Sequence, residues 1–269
     1  MGYAPGFRQP GERCTPFMRI LLTNDDSHDS PLFLLAIRIL KQHGDLTVVV
    51  PAQEQSWKGK SMTRFGELYV DRIDLHGTPS WSVSGTPADC VNLAIYNLMD
   101  DPPDVVVSGI NIGINTGLGF FMASGTLGAC FEANIARIPA IALSQGMTGE
   151  DFRHWYAERS FRASTLDRMS EATEQLLPRI WSDYVASLTA PVTWSFNFPD
   201  PCRDLEIVRT RLGQTYYRQC FSQRGDQYYH DLQSFHIDKA EDTDQAAVSR
   251  GQVSATRIDL SEIGQRLHD

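Results

Sequence analysis

The first fifty residues contain two short, uninterrupted apolar runs separated by a segment with helical punctuation. The runs lie within the stretches Arg19–Thr23 and Leu46–Val50, and neither alternates apolar with polar residues. Between them, a leucine-rich segment begins after Pro31 and ends before Gly44, which are typical start and stop residues of a helix. Strands that are apolar on both faces, joined by a helix within about 35 residues, predict a βαβ unit in a parallel sheet.

The same alternation of strand and helix continues along the chain and predicts a three-layer α/β domain over residues 18–200. The predicted helices are Pro87–Met99, Thr126–Arg137 and Arg153–Trp181, and the predicted strands are Asp104–Val107, Ala140–Leu143 and Val192–Phe198. Residues 1–17 are rich in Pro and Gly and are expected to form a loose extension. Residues 201–269 form a polar segment with β-prone fragments such as Gln214–Tyr217 and Gln227–His230 around the turn Arg224-Gly225-Asp226. We expect a hairpin there that packs on the domain or on another subunit.

Composition excludes several classes of protein. The 269 residues include 24 Lys and Arg against 33 Asp and Glu, a net charge of −9. That charge disfavours a protein that binds nucleic-acid duplexes, because such binding depends on neutralising phosphates. The five cysteines are far apart and predict free thiols in a reducing cytoplasm. No apolar run approaches the ~18 residues of a membrane span, so we expect no membrane partner.

Two adjacent aspartates follow the first predicted strand in the sequence Asn24-Asp25-Asp26. Ligands of open parallel sheets bind outside the carboxyl ends of the strands, which is where these side chains are expected. Adjacent carboxylates repel each other unless a cation neutralises them, and hard oxygen ligands favour Mg²⁺, Mn²⁺ or Ca²⁺. The alternative is a turn in which Asn or Asp caps the next helix.

A segment rich in Gly and Asn, Ser108–Gly119, follows the strand Asp104–Val107 and should lie at the same edge of the sheet. Glycine allows a ligand to approach the backbone closely, and Asn offers both an acceptor oxygen and donor N–H groups. The glycines are not spaced as in a GxGxxG motif, and no Gly-Lys-Ser/Thr ends a Walker A loop. A purely structural glycine loop is the alternative.

Ser124-Gly125-Thr126 precedes a predicted helix. Hydroxyls and free N–H groups at a helix N-terminus can bind an anion, although an ordinary N-cap explains the same residues. Ser84-Gly85-Thr86, before Pro87, is a second helix start of this kind, and there the structural interpretation is favoured.

Together and in this order, the motifs resemble the SurE family of 5′/3′-nucleotidases (survival protein SurE). The resemblance covers about residues 18–258 and rests on the runs ILLTNDD, VVVPAQEQSWKGKSMT, SVSGTPADCVNLA, PDVVVSGINIGINTG and SGTLGACFEA, with FNFPD and TRLGQTYY further on. It implies a Rossmann-like α/β fold with a C-terminal hairpin extension. It also implies a divalent-metal-dependent phosphomonoesterase that hydrolyses nucleoside monophosphates.

The resemblance assigns roles to individual residues. Carried over by position, the metal ligands are Asp25, Asp26, Ser56 and Asn111, with Asp25 or Asp26 also orienting or deprotonating the attacking water. The phosphate contacts are Asn115, Ser124, Gly125 and Thr126. The C-terminal hairpin implies assembly into a homodimer or homotetramer.

The chain departs from the family pattern beside the implied metal site. Trp57 and Lys58 stand where the family prefers Gly and small residues, and the glycines that usually follow the paired aspartates are replaced by Ser27 and Leu32. These departures motivate an alternative function, a nucleotide-binding or oligomeric scaffold with weak or lost turnover. An aspartyl-phosphate phosphatase of the haloacid-dehalogenase type is disfavoured, because it needs two aspartates separated by one residue rather than adjacent ones.

Overall fold

The computed structural model describes residues 18–26 and 28–263. The expected extension at 1–17, together with Cys14 and Ser27, lies outside the described residues. Nine strands form the main sheet, in the order β3-β4-β2-β1-β5-β6-β7-β13-β8. Their bounds are β1 Met18–Thr23, β2 Gly44–Pro51, β3 Val70–Leu75, β4 Thr78–Val83, β5 Val105–Ile112, β6 Ala140–Gln145, β7 Val192–Phe198, β8 Ile207–Thr210 and β13 Val253–Asp259.

The central part of the sheet is parallel, as the sequence predicts. Strands β4, β2, β1, β5, β6 and β7 pair with one another in parallel, while β3 and β13 run antiparallel to β4 and β7. From β1 the chain passes to β2 on one side and later to β5 on the other side. The strand order therefore reverses between β1 and β5, which is where open α/β sheets bind ligands.

In the described part of the chain, seven α-helices accompany the sheet: α1 Pro31–Leu40, α2 Pro87–Leu93, α3 Leu118–Ala123, α4 Gly125–Ile135, α5 Gly149–Glu158, α6 Ala163–Tyr184 and α7 Asp244–Ser249. Short helical turns lie at Ala94–Leu98, Val185–Ser187 and Leu260–Glu262. Helices α1 and α6 pack together on one face of the sheet, and α2 and α4 pack together on the other. Ile20 and Leu22 of β1 belong to the first core and Leu21 to the second. This arrangement explains why the strands lack polar alternation, and it confirms the three-layer fold.

Three sequence predictions need correction. The helix expected over 153–181 is two helices, because Arg159 adopts a left-handed conformation and ends α5. Strand β5 continues through Ile112, so the first part of the expected glycine loop is strand, with an irregularity in its pairing between Ser108 and Asn111. The fragment Gln214–Tyr217 is not part of the hairpin around Gly225. Its strand β9 (Tyr216–Tyr217) pairs with β12 (Phe235–His236) instead.

The expected hairpin around Gly225 is confirmed. It consists of β10 (Phe221–Arg224) and β11 (Gln227–His230), with Gly225 at a φ of 61° in the turn. The segment after residue 200 also supplies β8 and β13 to the main sheet, so the sheet crosses the predicted domain boundary. The boundary itself stays a prediction.

Candidate active site

The two aspartates leave β1 at the edge where β5 also ends. Thr23 of β1 is in register with Ser108 of β5, so the residues that follow each strand are neighbours. The amide of Asp25 donates to Asn24 Oδ1 at 2.9 Å, and Asp26 Oδ2 accepts from the amide of Ile112 at 2.6 Å. Both carboxylates are buried, with exposures of 4% and 5%. Strand β5 thus holds the Asp26 carboxylate, and both carboxylates lie buried at the carboxyl edge of the sheet.

The N-terminus of α4 contacts Asp25 directly. The Thr126 amide donates to Asp25 Oδ2 at 3.0 Å, and the Thr126 hydroxyl donates to Asp25 Oδ1 at 2.8 Å. The Ser124 hydroxyl accepts from the Leu127 amide at 3.3 Å and caps the helix. A Cβ added to Gly125 would lie 2.9 Å from Asp25 Oδ2, so only glycine fits here without a shift. In the structure, this motif caps α4 and holds Asp25 in place.

Burial and mutual repulsion make the aspartate pair electrostatically costly. Loss of solvent raises the pKa of Asp25 from 3.8 to about 6. The pKa of Asp26 is raised well above its usual range by burial and then by the charge of Asp25. Among the salt bridges of residues 18–26 and 28–263, none reaches either carboxylate. A bound cation would relieve both effects.

The remaining donors suit a hard cation. The Asn111 side-chain amide donates to the Gly113 carbonyl at 3.0 Å. Because this bond uses the Asn111 N–H group, the Asn111 side-chain oxygen is the candidate metal ligand. Within the described part of the chain, no three His, Cys, Asp or Glu side chains converge on one point. Neutral oxygens must therefore complete any cation site built on the aspartates, and such oxygen sets suit Mg²⁺, Mn²⁺ or Ca²⁺.

Ser56 contacts a carboxylate that the sequence analysis did not select. Its hydroxyl donates to Glu54 Oε1 at 2.7 Å, and Glu54 Oε2 lies 3.3 Å from Arg159 Nη1. In the sequence, only the position of Glu54, two residues before Ser56, indicates that Glu54 belongs to the site. Nothing in the sequence indicates this for Arg159, because it lies at the break between α5 and α6, where a continuous helix was predicted.

Asn115 lies beside the start of α4. Its side-chain amide donates to Ser144 Oγ at 2.8 Å and lies 3.5 Å from Thr126 Oγ1, while its backbone amide donates to Asn197 Oδ1 at 2.7 Å. The polar ends of β6 and β7 therefore fix Asn115 at the edge that also holds the aspartates.

One cavity of about 660 Å³ joins these groups. Of the predicted site residues, it is lined by Asp25, Ser56, Asn111, Asn115 and Ser124. Asp26, Gly125 and Thr126 are buried and do not line it. Its other walls carry aromatic rings that the sequence analysis did not group together: Trp57, Phe120, Phe152, Trp155, Tyr156 and His230.

The second helix start is an ordinary helix cap. Thr86 caps α2 in a capping box with Asp89, which confirms the structural interpretation of Ser84-Gly85-Thr86.

The cysteines of the described ranges, Cys90, Cys130, Cys202 and Cys220, are free thiols. No helix among the described residues is both long and apolar enough to cross a bilayer.

Comparisons with known proteins agree with this architecture. The sequence model of the family described as survival protein SurE matches residues 20–219. The chain is 34% identical to the 5′-nucleotidase SurE of Methanopyrus kandleri, an alignment that covers 92% of this chain and 93% of that protein. It is 36% identical to the 5′-nucleotidase SurE of Carboxydothermus hydrogenoformans, over 90% of each. The crystal structure of the SurE protein from Aquifex aeolicus superposes with a TM-score of 0.66 at 26% identity, covering 91% of this chain and 94% of that one. The chain belongs to the SurE family.

Proposed function

We propose that this protein is a divalent-metal-dependent 5′/3′-nucleotidase that hydrolyses nucleoside monophosphates to a nucleoside and phosphate. One observation carries the proposal. A buried pair of aspartates, Asp25 and Asp26, lies against the N-terminus of α4 at the edge of the sheet where the strand order reverses. The relatives named 5′-nucleotidase SurE support the choice of substrate class.

In this proposal, Asp25, Asp26, Ser56 and Asn111 hold the metal. A bound divalent cation would polarise the phosphate and lower the pKa of a coordinated water. Thr126 holds Asp25 through two hydrogen bonds, and the Ile112 amide holds Asp26, so the protein keeps both carboxylates in place before the metal binds. The all-oxygen donor set favours Mg²⁺, Mn²⁺ or Ca²⁺ over softer ions.

The phosphate end of the site is assigned to Asn115, Ser124, Gly125 and Thr126. The positive end of the α4 dipole favours an anion near this position. The Thr126 hydroxyl already donates to Asp25, so its part in the proposal is to orient that carboxylate. Asn115 and Ser124, which line the cavity, would face the equatorial oxygens.

A phosphate-release assay tests the proposed function. The purified protein would be given a panel of nucleoside 5′- and 3′-monophosphates with Mg²⁺ or Mn²⁺, and then again after treatment with EDTA. We expect release that EDTA abolishes, and no release from Asp26→Asn. Asp45→Asn is a matched control, because Asp45 is an exposed aspartate on the neighbouring strand β2. Nucleotide binding without release would instead support the scaffold alternative, and full release after EDTA would refute the metal.

The proposal includes assembly into a homodimer or homotetramer through the C-terminal hairpin. The hairpin presents large side chains to solvent: Tyr228 is 67% exposed, Phe221 58% and Tyr229 43%. Two-stranded hairpins are marginal in isolation, so a second subunit is the partner that would cover these rings.

The cytoplasm is the compartment expected for the free thiols of Cys90 and Cys130.

Sedimentation of the full-length protein and of Tyr228→Ser/Tyr229→Ser tests the assembly. A deletion of residues 203–269 is unsuitable, because it would remove β8 and β13 from the main sheet. We expect a dimer or larger species that the double variant weakens. A full-length monomer at micromolar concentration would contradict the proposal.

A further inference from the structure

Trp57 occupies a backbone conformation that disfavours a large side chain. Its φ of 62° lies in the left-handed region, where a bulky residue is strained and where such strain is often associated with function. The indole is held in place by neighbouring rings, with centroid distances of 4.7 Å to His230, 5.1 Å to Tyr217 and 6.0 Å to Phe120. It is still 42% exposed. The fold thus keeps an exposed indole directly after Ser56, in a backbone conformation that is unfavourable for tryptophan.

The indole shares its cavity with the predicted metal and phosphate residues. Trp57 and Phe120 line the same space of about 660 Å³ as Asp25, Asn115 and Ser124. That volume lies in the range of sites for small organic molecules and is far more than a phosphate ion needs. The part of a substrate that extends beyond its phosphate therefore meets an aromatic wall.

The indole of Trp57 offers a stacking surface at the cavity wall. Its ring contacts have interplanar angles of 60–70°, so none of these three neighbours is stacked parallel on the indole. Trp155 and Tyr156 on α5 are already covered by the Arg159 guanidinium, which lies 4.8 Å and 5.5 Å from their ring centroids. The guanidinium therefore occupies one face of each of those two rings.

We propose that the indole of Trp57 is the platform on which the base of a nucleoside monophosphate stacks. The inference rests on the proposed nucleotidase function and extends it to the residue that selects a leaving alcohol carrying an aromatic base. Stacking of this kind tolerates any base, because every base has a π face, so the platform favours nucleosides over aliphatic alcohols rather than one base over another.

Calorimetric titrations with the two products, adenosine and inorganic phosphate, test the platform without turnover. The titrations use the full-length protein with Mn²⁺ and the variants Trp57→Ala and Trp57→Phe. Both variants keep a Cβ at the same backbone position, so they share whatever strain that position imposes. We expect Trp57→Ala to raise the Kd of adenosine by roughly 5- to 150-fold, as base–aromatic contacts do on removal of the ring. Trp57→Phe should stay within about threefold of the wild type, since it keeps a ring.

The phosphate arm separates a platform from a structural role. Trp57→Ala should leave the Kd of phosphate unchanged, and so should the control Phe65→Ala, whose ring is 82% exposed outside the cavity lining. Equal losses of adenosine and phosphate affinity in Trp57→Ala would overturn the proposal, because they would show that the loop has collapsed. It would also be overturned if Tyr156→Ala, rather than Trp57→Ala, weakened adenosine. Failure of the nucleotidase proposal is a separate result, the absence of phosphate release by the wild-type protein.

Discussion

Gly125 is the position where the smallest change should damage the site most. Replacing it with Ala places a Cβ 2.9 Å from Asp25 Oδ2, 3.0 Å from Asp25 Cβ and 3.2 Å from the Gln55 carbonyl oxygen. Ordinary Cβ contacts begin near 3.4 Å, so the carboxylate must move by about 0.5 Å. Thr126 opposes that movement, because its amide and hydroxyl both hold the same carboxylate.

The expected cost has two parts. Overpacking of a buried site lowers the free energy of unfolding by about 1–3 kcal/mol. A displaced carboxylate also weakens metal binding and misplaces the reacting groups, and an error approaching 1 Å can cost about 100-fold in rate. For a shift of about half that size, we expect kcat/KM for nucleoside monophosphates to fall roughly 10- to 100-fold.

Phosphate release and thermal unfolding with and without Mn²⁺ measure both parts. The increase in Tm that the metal produces should be smaller in Gly125→Ala than in the wild type, because that increase depends on metal affinity. Gly149→Ala is the matched control. It lies at the first residue of α5, where the nearest atom to an added Cβ is Arg153 Nη1 at 3.6 Å, and it should be neutral or stabilising by about 0.4–1 kcal/mol. If Gly125→Ala keeps full activity and the full metal-induced rise in Tm, the packing argument is wrong.

Three further predictions concern the charges and hydrogen bonds around the site. In EDTA-treated protein, Asp25 keeps its proton up to about pH 6 when folded but releases it near 3.8 when unfolded. Its contribution to the free energy of unfolding therefore falls by roughly 2 kcal/mol as pH rises from 4 to 7. Urea unfolding across that range should show the fall, and Mn²⁺ should reverse it. Thr126→Val removes one hydrogen bond to Asp25 and keeps the shape, and its kcat should fall while its Tm changes by only a few degrees; unchanged kcat would rule out the orienting role. Lys60→Met leaves the nearly buried Glu132 carboxylate without its cation partner, Lys60 Nζ, which lies 2.7 Å from Glu132 Oε2. It should lower the free energy of unfolding by roughly 1–3 kcal/mol, measured by urea unfolding, without changing KM. An unchanged midpoint of urea unfolding would show that the ion pair does not stabilise the fold.

Strong local signals in the sequence determined most of the fold. The strands of the parallel sheet are apolar on both faces because helices cover both sides, and that requirement is visible as uninterrupted runs such as Ile20–Leu22. Asp25 and Asp26 could be selected because polar residues that follow a buried strand must emerge at its carboxyl edge. The ordered motifs then identified the family, and with it the rest of the candidate site.

Only the tertiary structure decided which partners those residues have. The Thr126 hydroxyl donates to Asp25, a partner that the sequence did not indicate, because α4 begins directly against the aspartate. The break at Arg159 carries neither Gly nor Pro, so no local signal separates α5 from α6 or brings that guanidinium to Glu54. The aromatic wall joins Trp57 to His230, residues far apart in the chain. Such contacts depend on how distant segments pack, and periodicity and spacing describe only what lies nearby along the chain.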